Sequence, residues 1–387
     1  MILRFISNQA VRSKKFPAYL VGGRSLAATA TSGLDVANFN FASPQQRRSK
    51  STTVAVQLDY YMSPQFAGIA CALTEGLYQK AGIDEVKFLS ICPVGLEAER
   101  VRQFRDISSD IDVVVGSVEQ NVFLPLLLRN PELKLKAVAA MFDTSPLCLA
   151  SIVEGGEDNE RSKDKESSLQ VVGAHEDTVD LLKRIMIFDS DQVARHKVVA
   201  SSRATKNMDL FNGDLDAIQA YTTTEVPTLQ RMLERTGKTG KAVASIPLEG
   251  LNGAKLGYSQ MLFAPEEDLA ADGGKHEILE AFLEATFEGW SVAINDPEHG
   301  AKSVEEAQKL TKLSDEDNDH WDRRDYLRYN TESTLACGKL VEATKKDGSD
   351  RYGVIDPERW DEATKWLLNE DIRSGFALDS TVWPAKR

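Results

Sequence analysis

The sequence predicts an α/β protein built from two lobes. Segments typical of strands alternate with segments typical of helices, and one polar stretch interrupts this alternation before it restarts. The chain of 387 residues is also longer than a single core usually supports. Strands that alternate with helices predict largely parallel sheets, and a cleft between two such lobes is a favourable place for a small molecule.

The first 53 residues differ in composition from the rest of the chain. They contain eight lysines and arginines, many serines and one acidic residue, Asp35, and they lack the apolar core of a secretory signal. This composition predicts an organellar transit peptide, with the mitochondrion as the first destination and the plastid as the second. A basic tail without a targeting role is the alternative. The folded part is therefore expected to begin near Thr53.

The remainder of the chain is acidic. It has 38 basic and 58 acidic residues, a formal charge of −20, which disfavours nucleic acid and anionic membranes as partners. No apolar run approaches the ~20 residues that span a bilayer. Four scattered cysteines without C-x-x-C spacing and five dispersed histidines indicate neither a disulfide framework nor a metal site.

Residues 54–150 are predicted to form the first part of the first lobe. Apolar residues at every fourth position predict a helix over 69–81 that ends at Gly82. Strands are predicted on both sides of this helix and further along the chain, at Val54–Leu58, Val86–Ile91, Ile111–Ser117 and the segment "LKAVAAMF". A helix is predicted after Gly95 and another through "NVFLPLLLRN".

The second lobe is predicted over residues 151–245, and residues 246–387 return to the first lobe. The polar segment Val153–Ser168 marks the boundary, and strand and helix patterns resume at "LQVVGA". In the returning part a long helix is predicted over His276–Asp296. Asp296 and Asp356 each precede Pro-Glu, an arrangement that favours helix N-caps. The tryptophans at helical spacing are predicted to be core residues: Trp290, Trp360 and Trp366.

One strand-to-helix turn near the start of the first lobe is unusually polar and aromatic. Asp59, Tyr60, Tyr61 and Gln65 stand between the strand at Val54–Leu58 and the helix that follows. Residues at the carboxyl end of a strand in such a sheet lie where ligands bind. The alternatives are that the tyrosines pack on the surface and that Asp59 only caps the turn.

The order of several motifs resembles a known family. The segments are "VQLDYYMSPQFAGIACALTEGLYQKAGI", "DIDVVVGS", "DLFNGDLDAIQAYTTTEVPTL", "EILEAFLEATFEGWSVAINDPEHGAK" and "YGVIDPERWDEATKWLLNEDI", in order from Val54 to Ile372. Together they resemble the thiamine pyrimidine synthase family and its bacterial relatives, the periplasmic binding proteins for formylaminopyrimidine, alkanesulfonates, taurine and nitrate. The resemblance implies a type II periplasmic-binding-protein fold, with two α/β lobes, a hinge and a ligand cleft between them.

The same resemblance argues against the synthase reaction. The synthases use a lysine that carries pyridoxal phosphate and a histidine four residues later, and the aligned positions here are Gly116 and Gln120. The histidine of the first turn is replaced by Phe66, and the cysteine-rich run of the synthases has no cysteine here. Glycine has no side chain to form a Schiff base. We therefore predict no catalytic residue, no cofactor and no bound metal.

The resemblance also implies a set of ligand-binding residues. Tyr60 falls at the position where the relatives place an aromatic ring on a planar ligand, and carboxylates nearby would accept hydrogen bonds from ring amines. The set is Asp59, Tyr60, Tyr61, Gln65, Ser117, Glu119, Tyr221 and Glu225. For Glu119 the sequence favours solvent exposure over ligand binding, and for Glu225 a solvated charge is the alternative.

Three hypotheses for function follow. The first is a soluble organellar binding protein for a thiamine-related pyrimidine or a similar heteroaromatic metabolite. The second is an enzyme resembling hydroxymethylpyrimidine phosphate synthase, whose sign would be a lysine in the cleft able to hold pyridoxal phosphate. The third is a structural or regulatory protein whose cleft is filled by apolar side chains. The partner expected is a small-molecule ligand, and the sequence indicates no oligomeric state.

Overall fold

The computed structural model describes residues 51–93, 95–154, 170–175, 178–186, 196–202, 205–238, 240–270, 273–313, 323–345 and 351–368. The strands are β1 (Thr53–Gln57), β2 (Glu85–Phe88), β3 (Val113–Val118), β4 (Leu135–Phe142), β5 (Leu147–Glu154), β6 (Gln170–His175), β7 (His196–Ser201), β8 (Ala217–Tyr221), β9 (Lys241–Pro247) and β10 (Ser259–Pro265). Residues 1–50, which make up most of the predicted transit peptide, lie outside the described residues.

The helices follow the same chain order. They are α1 (Ala67–Thr74), α2 (Leu77–Lys80), α3 (Glu97–Ile107), α4 (Gln120–Arg129), α5 (Val179–Ile185), α6 (Lys206–Asn212), α7 (Glu225–Arg235), α8 (Gly274–Asn295), α9 (Pro297–Thr311), α10 (Arg323–Glu342) and α11 (Pro357–Leu368). Short 3-10 turns occur at Pro64–Phe66, Pro131–Leu133, Leu251–Gly253 and Glu266–Leu269. None of these helices combines the length and the apolar character needed to cross a bilayer.

Two five-stranded sheets form the two lobes. The first has the strand order β2-β1-β3-β10-β4 and the second has the order β7-β6-β8-β5-β9. Strand β1 is parallel to β2 and β3, and β6 is parallel to β7 and β8. The returning strand β10 is antiparallel to both of its neighbours, and β5 is antiparallel to β8 and β9. The sheets are thus mixed, and the expectation of largely parallel sheets was wrong for these strands, because they enter the sheet without an intervening helical crossover.

The chain passes between the lobes twice. It leaves the first sheet after Phe142, enters the second at Leu147, and returns through residues 248–258 to β10. The sequence analysis placed these limits at residues 150 and 245. The difference arises because β5 already belongs to the second sheet, so the polar segment at Val153–Ser168 follows the first strand of the second lobe. Residues 155–169 of that segment lie outside the described residues.

The first lobe is built around helix α8. Leu279, Phe282, Leu283 and Trp290 are fully buried on its inner face, as the periodicity predicted. Helix α1 crosses α8 so closely that a Cβ atom at Gly68 would lie 2.2 Å from the Trp290 ring. Burial of four such side chains contributes about 1.5–3 kcal/mol each. The turn that follows β1 is therefore attached to a well-packed core.

The termini of the helices agree in part with the sequence prediction. Asp296 accepts a hydrogen bond from the His299 amide, and Asp356 accepts one from the amide of Glu358, so both predicted N-caps are confirmed. The helix predicted over 69–81 is broken instead into α1 and α2, because Gly76 adopts a left-handed conformation with φ of 65°.

Two helices of the returning segment tie the second lobe to the first. Arg231 of α7 donates to Glu332 of α10 at 3.1 Å. Arg184 of α5 donates to the Leu367 carbonyl of α11 at 2.9 Å and lies over the ring of Trp366. Trp290 and Trp360 are buried as predicted, whereas Trp366 is half-buried. Trp366 packs against the core of the second lobe with its ring beneath Arg184, so the prediction that it is a core residue is confirmed only in part.

Candidate ligand-binding cleft

A cavity of about 500 Å³ lies between the two lobes. The carboxyl ends of β1 and β3 line one side, the ends of β6 and β8 line the other, and helix α10 contributes to the wall. The volume lies within the range of small-molecule sites. Since this space remains open between the lobes, the hypothesis of a cleft filled by apolar side chains is wrong.

The structure brings most of the predicted site residues to this cavity. Those that line it are Asp59, Tyr60, Tyr61, Gln65, Glu119, Tyr221 and Glu225. Ser117 does not line it: the residue is fully buried behind the wall, with its Oγ 3.3 Å from Asp59 Oδ1. Their role toward a ligand stays a prediction.

The turn after β1 presents an acid beside two aromatic rings. The Tyr60 and Tyr61 rings meet edge to face, with centroids 5.3 Å apart. Gln260 donates from Nε2 to Asp59 Oδ2 at 3.4 Å. Asp59 is thus oriented by polar neighbours and does more than cap the turn.

Gln260 adopts a backbone conformation that is unusual for its residue type. Its φ is 51°, in the left-handed region, although it lies in strand β10. A non-glycine residue in this region is held there by its surroundings, and such residues concentrate at functional sites. Here the conformation places the side chain at the cavity wall beside Asp59 and Ser117.

Glu119 joins the two lobes across the cleft. Its Oε1 accepts a hydrogen bond from the Tyr221 hydroxyl of the second lobe at 2.8 Å and another from Ser259 at 2.9 Å. Its Oε2 accepts from Asn121 at 2.9 Å. The residue is only 4% exposed, so the expectation of solvent exposure for Glu119 was wrong. The buried carboxylate is satisfied by three donors from both lobes.

The second lobe contributes a buried lysine paired with Glu225. Lys206 is 1% exposed, and its Nζ donates to Glu225 Oε1 at 2.7 Å and to the Gln219 carbonyl at 3.0 Å. Nζ also lies 2.5 Å from Nε2 of His175. An ammonium can only donate, so this ring nitrogen accepts.

The ion pair sets the protonation state of Glu225. Burial opposes ionisation of this carboxyl, but the Lys206 ammonium, His175 and the hydrogen bonds from Lys206 and the Tyr221 amide together outweigh burial and lower the pKa of Glu225 to about 2. The carboxylate also accepts hydrogen bonds from the Tyr221 amide and the Thr224 hydroxyl. Glu225 is therefore ionised and held by its own lobe, and it is not the solvated charge that the sequence left as an alternative.

The cavity wall carries negative rather than positive side chains. Asp59, Glu119 and Glu225 line it, whereas no lysine or arginine of the described chain does. Lys206 is adjacent, but its ammonium is already paired with Glu225. Carboxylates and neutral amides favour ligands that donate hydrogen bonds or carry positive charge.

The positions aligned with the synthase lysine and histidine do not reach the cavity. A Cβ atom at Gly116 would lie 2.1 Å from Phe263 Cζ, so the strand leaves no room there for a side chain. Gln120 is fully buried, and its Oε1 accepts from the Tyr258 amide at 3.0 Å. Lys206 contacts the cavity-lining residues Gln219 and Glu225, and its ammonium is paired with Glu225. These residues do not fit pyridoxal phosphate, because Lys206 is buried against Glu225 and no lysine or arginine of the described chain lines the cavity to hold a phosphate.

Several cavity residues escaped the sequence analysis. They are His175, Gln219, Gln260, Tyr326, Tyr329 and Asn330. Apart from Gln219, which lies in the segment "DLFNGDLDAIQAYTTTEVPTL", none of them belongs to a motif found in the sequence, and Asn330 lies in helix α10. One signal was present: in α10 polar residues occupy the stripe at which an amphipathic helix buries apolar side chains.

Comparisons with known proteins agree with this architecture. A family model described as NMT1/THI5 like matches residues 63–300. The ligand-binding component of an ABC-type import system from Staphylococcus aureus has a TM-score of 0.53 at 13% identity, covering 88% of this chain and 100% of that chain. The periplasmic aliphatic sulphonate binding protein SsuA from Escherichia coli has a TM-score of 0.52 at 13% identity, covering 88% of this chain and 95% of that chain. The comparison with curated proteins gave no match. The structural matches confirm the two-lobed fold.

Proposed function

Because the chain belongs to the NMT1/THI5-like family and has the two-lobed fold of binding proteins, we propose that it binds a small heteroaromatic amine in its cleft. A thiamine-related pyrimidine is the ligand that we put first. The observation that carries the proposal is the wall of the cavity, which combines tyrosine rings with three carboxylates and no lysine or arginine from the described residues.

The first lobe supplies groups suited to such a ligand. Tyr60 and Tyr61 offer aromatic faces and edges for a planar ring. Asp59 lies next to them in the chain and accepts hydrogen bonds, as an exocyclic amine requires. A ring that stacks on tyrosine while donating to a carboxylate satisfies both features at once.

Anionic ligands fit the same wall poorly. The Escherichia coli neighbour is described as a binding protein for aliphatic sulphonates. In this chain a sulfonate or nitrate would meet Asp59 and Glu119, beside a Glu225 whose charge Lys206 offsets, and like charges in a partly desolvated cavity repel. The proposal therefore separates this chain from its sulfonate-binding neighbour by the charge of the ligand.

A thermal-shift screen with the full chain tests the proposal. The panel contains aminopyrimidines, thiamine, pyridoxal phosphate, alkanesulfonates and nitrate. A true ligand at 100 times its dissociation constant adds about 2.7 kcal/mol of apparent stability, and calorimetry then gives the affinity. Stabilisation by aminopyrimidines and not by sulfonates is the expected result. Stabilisation by a sulfonate or nitrate alone would show that the proposal is wrong.

We also propose that the basic residues 1–53 direct the protein to an organelle, the mitochondrion first and the plastid second. The support is compositional, since this segment carries eight basic residues and a single acid. Fluorescence microscopy of the full chain, fused at its carboxyl terminus to a fluorescent protein, tests the destination. N-terminal sequencing of the protein recovered from the organelle tests the cleavage, and an intact Met1 there would contradict it.

A further inference from the structure

Helix α10 buries polar side chains along its inner stripe. The stripe runs through Tyr326, Asn330, Thr334, Cys337 and Val341, at spacings of three and four residues. Apart from the half-buried Tyr326, all of them have no exposed surface. Asparagine and threonine are poor residues for a helix interior. A helix selected only for packing would place apolar residues at these positions.

Asn330 presents an unpaired amide at the cavity. The residue lines the cavity, and both Oδ1 and Nδ2 are buried without a hydrogen-bond partner among the described residues. Ser63 Oγ and Gln219 Nε2 line the same cavity and are also buried and unpaired there. Buried polar groups are ordinarily hydrogen-bonded, because an unpaired one loses its hydration without compensation. These three residues thus hold unpaired polar groups at the place where a ligand would lie.

The position of Asn330 is fixed by neighbouring contacts of α10. One turn earlier, the Tyr326 hydroxyl lies 3.0 Å from Nε2 of Gln308, which also donates to the Met62 carbonyl at 2.7 Å. The adjacent Tyr329 donates to the Thr224 carbonyl of the second lobe at 3.4 Å. The helix is therefore held against both lobes. A site on such a rigid element binds with more precise geometry than a site on a loop.

We propose that Asn330 determines ligand specificity by pairing both of its amide atoms with a ligand edge that carries a ring nitrogen beside an exocyclic amine. This inference rests on the proposed function. Nδ2 donates to the ring nitrogen and Oδ1 accepts from the amine, the same bidentate pairing that asparagine makes with adenine. Asn330 lies beyond residues 63–300, which the family model matches, so this specificity is a property of the returning segment.

Calorimetry with two probes tests the inference. The probes are 4-amino-5-hydroxymethyl-2-methylpyrimidine and its analogue without the amine, each titrated into wild type and Asn330→Leu. Leucine has nearly the same shape and no polar atoms. We expect the variant to bind the aminopyrimidine about 10- to 100-fold more weakly and to lose most of the preference for the amine-bearing probe. Unchanged affinity and preference would overturn the inference while leaving the proposed function intact.

Thermal unfolding without ligand separates a binding role from a structural one. Removal of an unpaired buried amide should leave the melting temperature of Asn330→Leu equal to or above that of wild type. Thr334→Val is the matched control, because Thr334 is also fully buried and unpaired on α10 but does not line the cavity. It should melt like the leucine variant and bind both probes like wild type. A lower melting temperature for Asn330→Leu, together with an equal loss of affinity for both probes, would overturn the inference.

A second variant adds a pH profile and covers the case in which Asn330→Leu does not fold. Asn330→Asp keeps the acceptor and loses the donor, so it can pair with the edge only when the ring nitrogen is protonated. Its affinity for the aminopyrimidine should fall more steeply with rising pH than that of wild type. Parallel pH profiles would overturn the inference. If wild type binds neither probe, the proposed function fails first and the inference fails with it.

Discussion

The pair of Glu225 and Lys206 makes the stability of the protein depend on pH, and Glu225→Gln removes that dependence. The pKa of about 2 in the folded protein, against 4.5 for an unperturbed glutamate, corresponds to about 3 kcal/mol of folding stability. Because the folded pKa is lowered, this contribution is complete above pH 4.5 and is lost as the pH falls toward 2. Near pH 3 about half of it remains.

Urea unfolding of wild type and variant between about pH 7 and pH 3 measures the contribution. The difference between the two proteins cancels the titration of the other carboxylates. We expect Glu225→Gln to be about 3 kcal/mol less stable at neutral pH, and this gap should narrow below pH 4.5. Glu234→Gln on the same helix is the control, since Glu234 is mostly exposed and should change stability by less than about 0.5 kcal/mol. A gap that is absent, or that is constant with pH, would refute the reasoning.

Three further predictions concern the cleft and its support. Tyr60→Ala should weaken ligand binding by about 1–3 kcal/mol, measured by calorimetry, because the contact with the ring is lost. Tyr60→Phe should weaken binding much less. Equal affinity for wild type and the alanine variant would mean that the Tyr60 ring only packs against its neighbours. Tyr221→Phe removes the hydrogen bond to Glu119 and should increase the radius of gyration in X-ray scattering without ligand, whereas an identical scattering curve would show that this bond does not hold the lobes. Gly116→Ala should destabilise the protein by about 1–3 kcal/mol in urea unfolding, because its Cβ would lie 2.1 Å from Phe263; wild-type stability would show that the Phe263 ring moves freely.

The fold was predictable because it is encoded in local patterns. Alternating strands and helices, the apolar stripe of α8 and the Asp-Pro-Glu caps each depend on a few neighbouring residues. The antiparallel entry of β10 and β5 was not predictable in the same way. Whether a strand runs parallel or antiparallel depends on which distant strand it joins, and periodicity within the strand carries no such information.

The site was predictable only where it follows the strand ends. Asp59 and Tyr60 were found because they follow the end of β1 closely in the chain. The partnership of Glu225 with Lys206 was not foreseen, because the two residues meet only when α6 and the start of α7 lie side by side. Asn330 was missed for a different reason: its amide is conspicuous only once its burial and lack of partners are known.

The hydrogen bond between Tyr221 and Glu119 has a kinetic consequence for ligand entry. It joins the two lobes across the cavity, and we expect it to break each time the lobes separate to admit a ligand. A hydrogen bond to a charged acceptor contributes about 1.5–3 kcal/mol, so we expect the form without this bond to make up roughly 1–10% of the population. The observed association rate should then level off at high ligand concentration, at the rate with which the lobes separate.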